Sequence, residues 1–201
     1  MLAILLQGLG LGFSAAVMPG SFQTYLISES LLKGYKKALP LAFVPILSDL
    51  PIIIITMLVL NQAADWFLNL LQIVGGIFII YLSFLAYKSS KNDSEIQSSE
   101  QKLNILKAIT INFLNPNVWL YWSTIGATLL ISNWQNQKII AILFLLSFYG
   151  AMVLSNVLMV LIFGKAAQTK NKLRPILLSI STIFLFAFGM LNLYQGLAKF
   201  L

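Results

Sequence analysis

Six apolar runs, each about as long as a membrane span, take up most of this chain. An α-helix needs about 20 predominantly apolar residues to cross a bilayer. The runs lie at 2–28, 39–60, 66–87, 105–131, 139–163 and 175–198. Of the 201 residues, 59% are hydrophobic and 9% are charged, whereas a soluble domain carries about a quarter charged residues. The sequence therefore predicts an all-α integral membrane protein with six transmembrane helices in a single domain, residues 1–201.

The positions of the basic residues that give the net charge of +7 indicate the orientation of the chain in the membrane. Eleven of the thirteen lie in or beside the first, third and fifth loops, and the remaining two, Lys138 and Lys199, lie on the other side. Because Lys and Arg concentrate in cytoplasmic loops, these three loops are predicted to be cytoplasmic. Both termini then lie on the outer side of the membrane. The basic balance indicates contact with the lipid bilayer, and no nucleic-acid partner is expected.

One polar stretch divides the six runs into two halves. Residues 89–104 are rich in Ser, Gln and charges and are predicted to form a cytoplasmic linker between repeat one, 1–88, and repeat two, 105–201. Three spans per half force the halves into opposite orientations. Matching positions follow the same order in both halves: Pro19 with Pro116, Ser48-Asp49 with Ser155-Asn156, and Gly76 and Tyr81 with Gly189 and Tyr194. The sequence thus predicts two inverted three-helix repeats.

Proline interrupts the first and fourth runs, at Pro19-Gly20 and at Asn115-Pro116-Asn117. Proline has no backbone donor and frees the carbonyl four residues earlier, which needs a partner in lipid. Interrupted helices at corresponding positions of two repeats mark transporter binding sites. The alternative is a pair of simple proline kinks. Two breaks flanked by Gly or Asn favour a binding site between helices one and four.

Asp49 lies midway along the second run, where an ionisable residue costs about 2.5–3.5 kcal/mol to insert. We expect it to carry a proton or to act as counter-ion to an ammonium group, with Ser48 beside it as a weaker candidate. The alternative is a helix cap, because Pro51 follows and Pro45 could end a preceding half-helix.

Amide side chains form the next set of candidates. They are Asn112, Asn115, Asn117 and Asn156. An amide can bind an amino-acid zwitterion or a freed carbonyl, and it can equally join two helices. The aromatic residues after the second break, Trp119, Tyr121 and Trp122, are expected to contact lipid or core, with a pocket wall as the alternative.

Other chemistry is limited by what the sequence lacks. The chain has no Cys and no His, which removes soft-metal sites, thiol chemistry and Ser–His hydrolysis. We therefore expect no enzyme activity, no catalytic residue, no metal site and no cofactor. Glu29, four residues before Lys33 at the end of the first run, is expected to be a solvated surface charge.

Taken together, these motifs resemble the lysine exporter (LysE/RhtB) family of amino-acid efflux transporters along essentially the whole chain. The matching residues are Pro19-Gly20, Gly34, Asp49 and Asn115-Pro116. Three positions depart from the family pattern: Ser21 replaces a second Pro, Ser48 replaces Gly and Asn117 replaces Lys. The departures change the charge and rigidity of the breaks, so lysine itself is not assigned as the substrate.

The resemblance implies proton-driven efflux of an amino acid or related small amine, bound between the halves. The sequence leaves two alternatives open, a non-transporting membrane scaffold and a cation or metal exporter. A hard-cation site would need more than one carboxylate, which a homodimer would supply.

Overall fold

The computed structural model describes residues 1–58, 65–91, 104–166 and 173–198, and all regular structure within these ranges is helical. The α-helices are α1 (Leu2–Val17), α2 (Ser21–Lys33), α3 (Tyr35–Ala38), α4 (Val44–Leu58), α5 (Asp65–Lys91), α6 (Ile105–Phe113), α7 (Pro116–Tyr121), α8 (Ala127–Asn136), α9 (Lys138–Ala166) and α10 (Leu173–Leu197). A 3-10 turn, Leu39–Phe43, joins α3 to α4, and a π-helical turn, Trp122–Gly126, joins α7 to α8. Most of the predicted linker, residues 92–103, lies outside the described residues.

Three helical stretches in the described ranges are long and apolar enough to cross a membrane. They are Tyr35–Leu58, Lys138–Ala166 and Ser179–Leu197. The pair α1 and α2 passes the same test as one broken span, bent by 66°. Many large apolar side chains are more than half exposed, among them Leu6, Phe13 and Ile162. Such an apolar exterior suits a lipid environment, so the fold is that of a helical membrane protein.

Glycine allows two pairs of helices to pack closely. Along α1, Gly8 and Gly12 lie so near Ser147 and the backbone of Phe148 on α9 that a Cβ has no room. In the pair α5 and α10, Gly76 and Gly189 lie against each other's backbone in the same way. Small residues are the usual contact in membrane bundles, because helix association there depends on close van der Waals packing.

The turn between α2 and α3 depends on Gly34, whose φ of 77° lies in the region that favours glycine. Its N–H bonds to the Ser30 carbonyl at 2.9 Å and closes α2. The chain then returns through the 3-10 turn into α4, which brings α4 beside α6. This arrangement places the middle of α4 next to the second proline break.

Candidate functional site

The first break separates α1 from α2 at Met18, Pro19 and Gly20. Because Pro19 has no N–H, the Ala15 carbonyl loses its helical partner. The Gln23 side chain takes its place and donates from Nε2 to that carbonyl at 3.3 Å. Gly20 has an extended backbone and begins α2 as its N-cap. The helix is thus interrupted, as the sequence predicts, and not merely kinked.

The second break, at Leu114 and Asn115, is stabilised differently. The Asn115 side chain caps α7 by accepting from the Asn117 backbone N–H at 3.1 Å, with Pro116 in the first turn, where proline is preferred. The Phe113 carbonyl, which would otherwise accept from Asn117, accepts from Trp119 Nε1 at 2.7 Å. A side chain therefore satisfies a released carbonyl at each break, as a low-dielectric setting demands.

Asp49 lies inside α4, which runs unbroken from Val44 to Leu58 with Pro51 within it. The cap alternative for Asp49 is therefore wrong, because the side chain lies five residues into the helix and bonds to other helices. Asn112 Nδ2 on α6 donates to Asp49 Oδ1 at 2.7 Å and approaches Ser48 Oγ at the same distance. The neighbouring Ser48 Oγ also donates to the Val44 carbonyl at 3.1 Å.

The other carboxylate oxygen accepts from two aromatic residues. Trp122 Nε1 donates to Asp49 Oδ2 at 3.3 Å, and the Tyr149 hydroxyl donates to it at 3.2 Å. All the donors named are neutral, and Asp49 is only 2% exposed. The ion pair found in the described ranges joins Lys33 to Glu29, not to Asp49. Asp49 is thus a buried carboxylate whose hydrogen bonds are made but whose charge has no counter-ion among the described residues.

A cavity of about 220 Å³ opens beside this carboxylate. Its lining includes five of the residues predicted from sequence, Pro19, Gly20, Asp49, Asn115 and Asn117. Both proline breaks therefore face the same space as Asp49. Small-molecule sites are typically apolar clefts with a few placed polar groups, and this cavity has that composition.

Aromatic side chains form one wall of the cavity. Tyr121 and Trp122 line it together with Phe148, and Tyr121 stacks on Phe148 with 5.4 Å between ring centroids. Trp122 begins the π-helical turn, and its ring lies against Gly126, where a Cβ would overlap it. π-Helical turns inside α-helices are frequent at functional sites. Here the turn and Gly126 together set the indole beside Asp49.

Three other predicted residues are not among those that line the cavity. Pro116 is buried at the start of α7, and Ser48 is joined to the network through Asn112. Asn156 is fully buried on α9, and its Nδ2 lies 3.4 Å from the Ala42 carbonyl. The structure therefore separates Asn156 from Asp49 and from the residues that line the cavity.

Glu29 corrects a further expectation. It is only 9% exposed and pairs with Lys33 Nζ at 2.7 Å, so the prediction of a solvated surface charge is wrong. The physical reason is that α2 packs against α9 and α10, which covers this face of the helix.

Sequence reasoning gave little weight to three partners of Asp49. The sequence identifies Asn112 only as one of four candidate amides and Trp122 only as one of three aromatic residues after the break. Nothing in the sequence around Tyr149 indicates a functional role. Their contacts join residues 63, 73 and 100 positions from Asp49.

The model of the LysE type translocator family matches residues 13–196, nearly the whole chain. The chain belongs to the LysE type translocator family. No curated protein and no solved structure matches it. Membership confirms the resemblance noted from the motifs. Members of this family are transporters and not enzymes. Membership therefore implies membrane transport of amino acids or related compounds.

Proposed function

We propose that this LysE translocator is a secondary exporter that moves amino acids or related small amines out across the bacterial inner membrane in exchange for protons. The observation that carries the proposal is Asp49, a buried carboxylate beside a cavity where two broken helices meet. A membrane protein keeps an intramembrane carboxylate mainly for a proton, ion or substrate pathway.

The proposed architecture has six spans arranged as two inverted repeats, with cytoplasmic first, third and fifth loops and both termini outside. The packing supports this arrangement. Helix α1 of repeat one packs on α9 of repeat two, and α6 of repeat two packs on α4 of repeat one. The contact of span one with span five therefore corresponds to the contact of span four with span two, as an inverted repeat requires. The facing contact of Gly76 with Gly189 joins the third spans of the two halves, as expected for residues near a pseudo-two-fold axis.

Exchange follows from competition for one carboxylate. Asp49 binds either a proton or the ammonium group of a solute, since either one neutralises its charge. When the cavity faces outward, protonation of Asp49 releases the solute. When it faces the cytoplasm, loss of the proton prepares the site for the next solute. Because an empty ionised site is costly in lipid, the change of side is favoured when a proton or a solute is bound.

The two breaks contribute the parts of the cavity that must move. The backbone at Met18–Gly20 and at Leu114–Asn115 is not helical, so the half-helices α1 and α2, and α6 and α7, can change their angles without breaking a continuous helix. Transporters of inverted-repeat architecture change access by moving one repeat against the other around a fixed site. The side chains of Gln23 and Trp119 keep the released carbonyls satisfied during such movement.

The test is efflux of a panel of amino acids and small amines from loaded cells that express the wild type or Asp49→Asn at matched protein levels. We expect one class of solute to leave faster with the wild type and at the background rate with the variant. Glu29→Gln is the matched control, because it makes the same chemical change at a buried carboxylate that has a cation partner. Efflux that survives Asp49→Asn would overturn the mechanism, and no efflux of any solute would favour a scaffold.

A further inference from the structure

We propose that the cavity selects amines that lack a carboxylate over amino-acid zwitterions, with Asp49 as the counter-ion and Asn117 as the position that sets the preference. The inference rests on the proposed function and names its substrate class. It follows from the charges around the cavity, from the acceptors left for an ammonium group and from the wall that would hold the solute body.

The described residues that line the cavity carry negative charge and no positive charge. Among the described residues that line the cavity, Asp49 is the single charged side chain, and none is Lys or Arg. An amine cation beside the ionised Asp49 gives a neutral pair. A zwitterion at the same place leaves a net charge of −1, because its own carboxylate adds to that of Asp49. In a buried cavity an uncompensated charge is strongly disfavoured.

The side chains at the breaks do not correct this balance. Gln23 Nε2 donates to the Ala15 carbonyl, and Asn115 Oδ1 accepts from the Asn117 N–H. The N–H groups that these amides still offer are neutral, so they add no positive charge to offset a second carboxylate. The N-terminus of α2 at Gly20 also lines the cavity, and it is the strongest competing anchor for a carboxylate. A helix N-terminus carries only about half a unit of positive charge, which is less than the full charge that a zwitterion carboxylate brings.

Acceptors remain for an ammonium group. Asp49 accepts from Asn112, Trp122 and Tyr149, and Ser48 is a fourth partner, so an ammonium group binds the carboxylate by replacing one of these neutral donors with a charged one. Tyr121 lines the cavity, and its hydroxyl oxygen is buried without a hydrogen-bond partner among the described residues. These two oxygens are the anchors that we assign to the ammonium.

The aromatic wall fits the remainder of such a solute. Trp122 and Phe148 line the cavity beside the carboxylate, and an ammonium that lies over an aromatic ring is attracted to it. A volume of about 220 Å³ accommodates a small apolar body attached to the amine. The site thus presents a cation anchor at one end and an apolar wall around the rest.

A single substitution at Asn117 can change the net charge of the cavity. Its side chain is exposed and lines the cavity at the second break, while its structural bond uses the backbone N–H. Asn117→Lys adds the cation that a zwitterion needs without removing a described side-chain bond. Asn117→Gln lengthens the side chain without charge and is the matched control.

The test uses pairs of solutes that differ by one carboxylate, phenethylamine with phenylalanine and isoamylamine with leucine. Binding to the purified full chain in detergent is measured by isothermal titration calorimetry. We expect each amine to bind the wild type at least about tenfold more tightly than its amino acid, and Asp49→Asn to lose the amine. Asn117→Lys should shift the ratio by at least about tenfold toward the amino acid relative to Asn117→Gln, which lengthens the same side chain without a charge.

Equal or tighter binding of the amino acids to the wild type would overturn the proposal, as would a ratio that Asn117→Lys does not change or a failure of both members to bind. Transport in proteoliposomes separates this failure from failure of the exporter itself. Amines that bind with the expected preference but do not move would contradict the exporter and leave the selectivity intact. Amino acids that move while amines do not would contradict the selectivity and leave the exporter intact.

Discussion

Two buried carboxylates in this protein have different surroundings. Glu29 on α2 pairs with Lys33 at 2.7 Å on its own helix and bonds to the Tyr25 hydroxyl. Asp49 on α4 has neutral donors on other helices and no cation partner in the part of the chain that the structure describes. Burial is similar, at 9% and 2% exposed. We infer from this difference that the missing counter-ion, more than burial itself, marks the carboxylate that can bind a ligand.

The origin of the two partner sets explains their roles. Lys33 lies four residues after Glu29, a spacing that puts both side chains on one helix face, so the pair forms with α2 and needs no other helix. The partners of Asp49 come from α6, the π-helical turn and α9. A movement between helices therefore alters the surroundings of Asp49 while leaving the Glu29 pair unchanged.

The largest effect is expected when Asp49 is given a cation of its own. Asn112→Lys places an ammonium where the amide now lies 2.7 Å from Asp49 Oδ1. Two opposite unit charges 4 Å apart attract by about 4 kcal/mol at an effective dielectric constant of about 20, so the internal pair competes with both proton and solute. We expect transport in proteoliposomes to fall by at least about 100-fold.

Asn112→Leu is the control for this change, since it removes the hydrogen bonds without adding charge. We expect it to retain at least about ten times the rate of Asn112→Lys. Equal rates in the two variants would show that the absence of a cation beside Asp49 is not what matters.

Removing the cation from the other carboxylate should cost stability instead of transport. Lys33→Met leaves Glu29 buried without its counter-ion. Breaking a fully buried pair costs roughly 3–5 kcal/mol, and because these two side chains keep 14% and 12% exposure we expect about 2 kcal/mol. Denaturant unfolding of the purified protein measures the loss.

The double variant Glu29→Gln/Lys33→Met tests the cause, because it removes both charges together. It should recover at least half of the stability lost by Lys33→Met and transport within about threefold of the wild type. A double variant no more stable than the single one would show that Lys33 acts through packing and not through Glu29.

A third substitution tests one of the hydrogen bonds to Asp49. Tyr149→Phe removes one hydroxyl that donates to Oδ2 at 3.2 Å and leaves the ring in place. A hydrogen bond to a charged group contributes about 1.5–3 kcal/mol, so the ionised form of Asp49 loses that stabilisation. We expect solute binding about tenfold weaker by calorimetry, and any loss in the free energy of unfolding should stay within the same range of about 1.5–3 kcal/mol. Unchanged affinity would remove Tyr149 from the site.

The features of this fold that the sequence predicts well depend on short stretches of the chain. Run length and composition identify a helical membrane protein, and proline in the middle of a run predicts each break. Asp49 is singled out because charge in an apolar run is costly. The cap alternative for Asp49 is wrong because α4 accommodates Pro51 within a continuous helix, which depends on the surrounding helices and not on the local sequence.

Long-range contacts account for what the sequence does not predict. Tyr149 reaches Asp49 across 100 residues, and an aromatic residue in a membrane helix gives no sign of which neighbour it will meet. Glu29 was misjudged for the reverse reason, since its spacing to Lys33 is that of an exposed helix pair. Only the packing of α2 against α9 and α10 turns that pair into a buried one. The six-span inverted-repeat arrangement and the orientation remain predictions.

The smallest effect is expected from the same hydroxyl deletion at the compensated carboxylate. Tyr25→Phe removes the hydroxyl that bonds to Glu29 and keeps the buried ring. Because Lys33 still neutralises Glu29, we expect a loss of about 1 kcal/mol or less in the free energy of unfolding and solute affinity within about twofold of the wild type. Calorimetry and denaturant unfolding, run beside Tyr149→Phe, measure both. If Tyr25→Phe weakened solute binding as much as Tyr149→Phe, the two carboxylates would share one function and the distinction drawn from their counter-ions would be wrong.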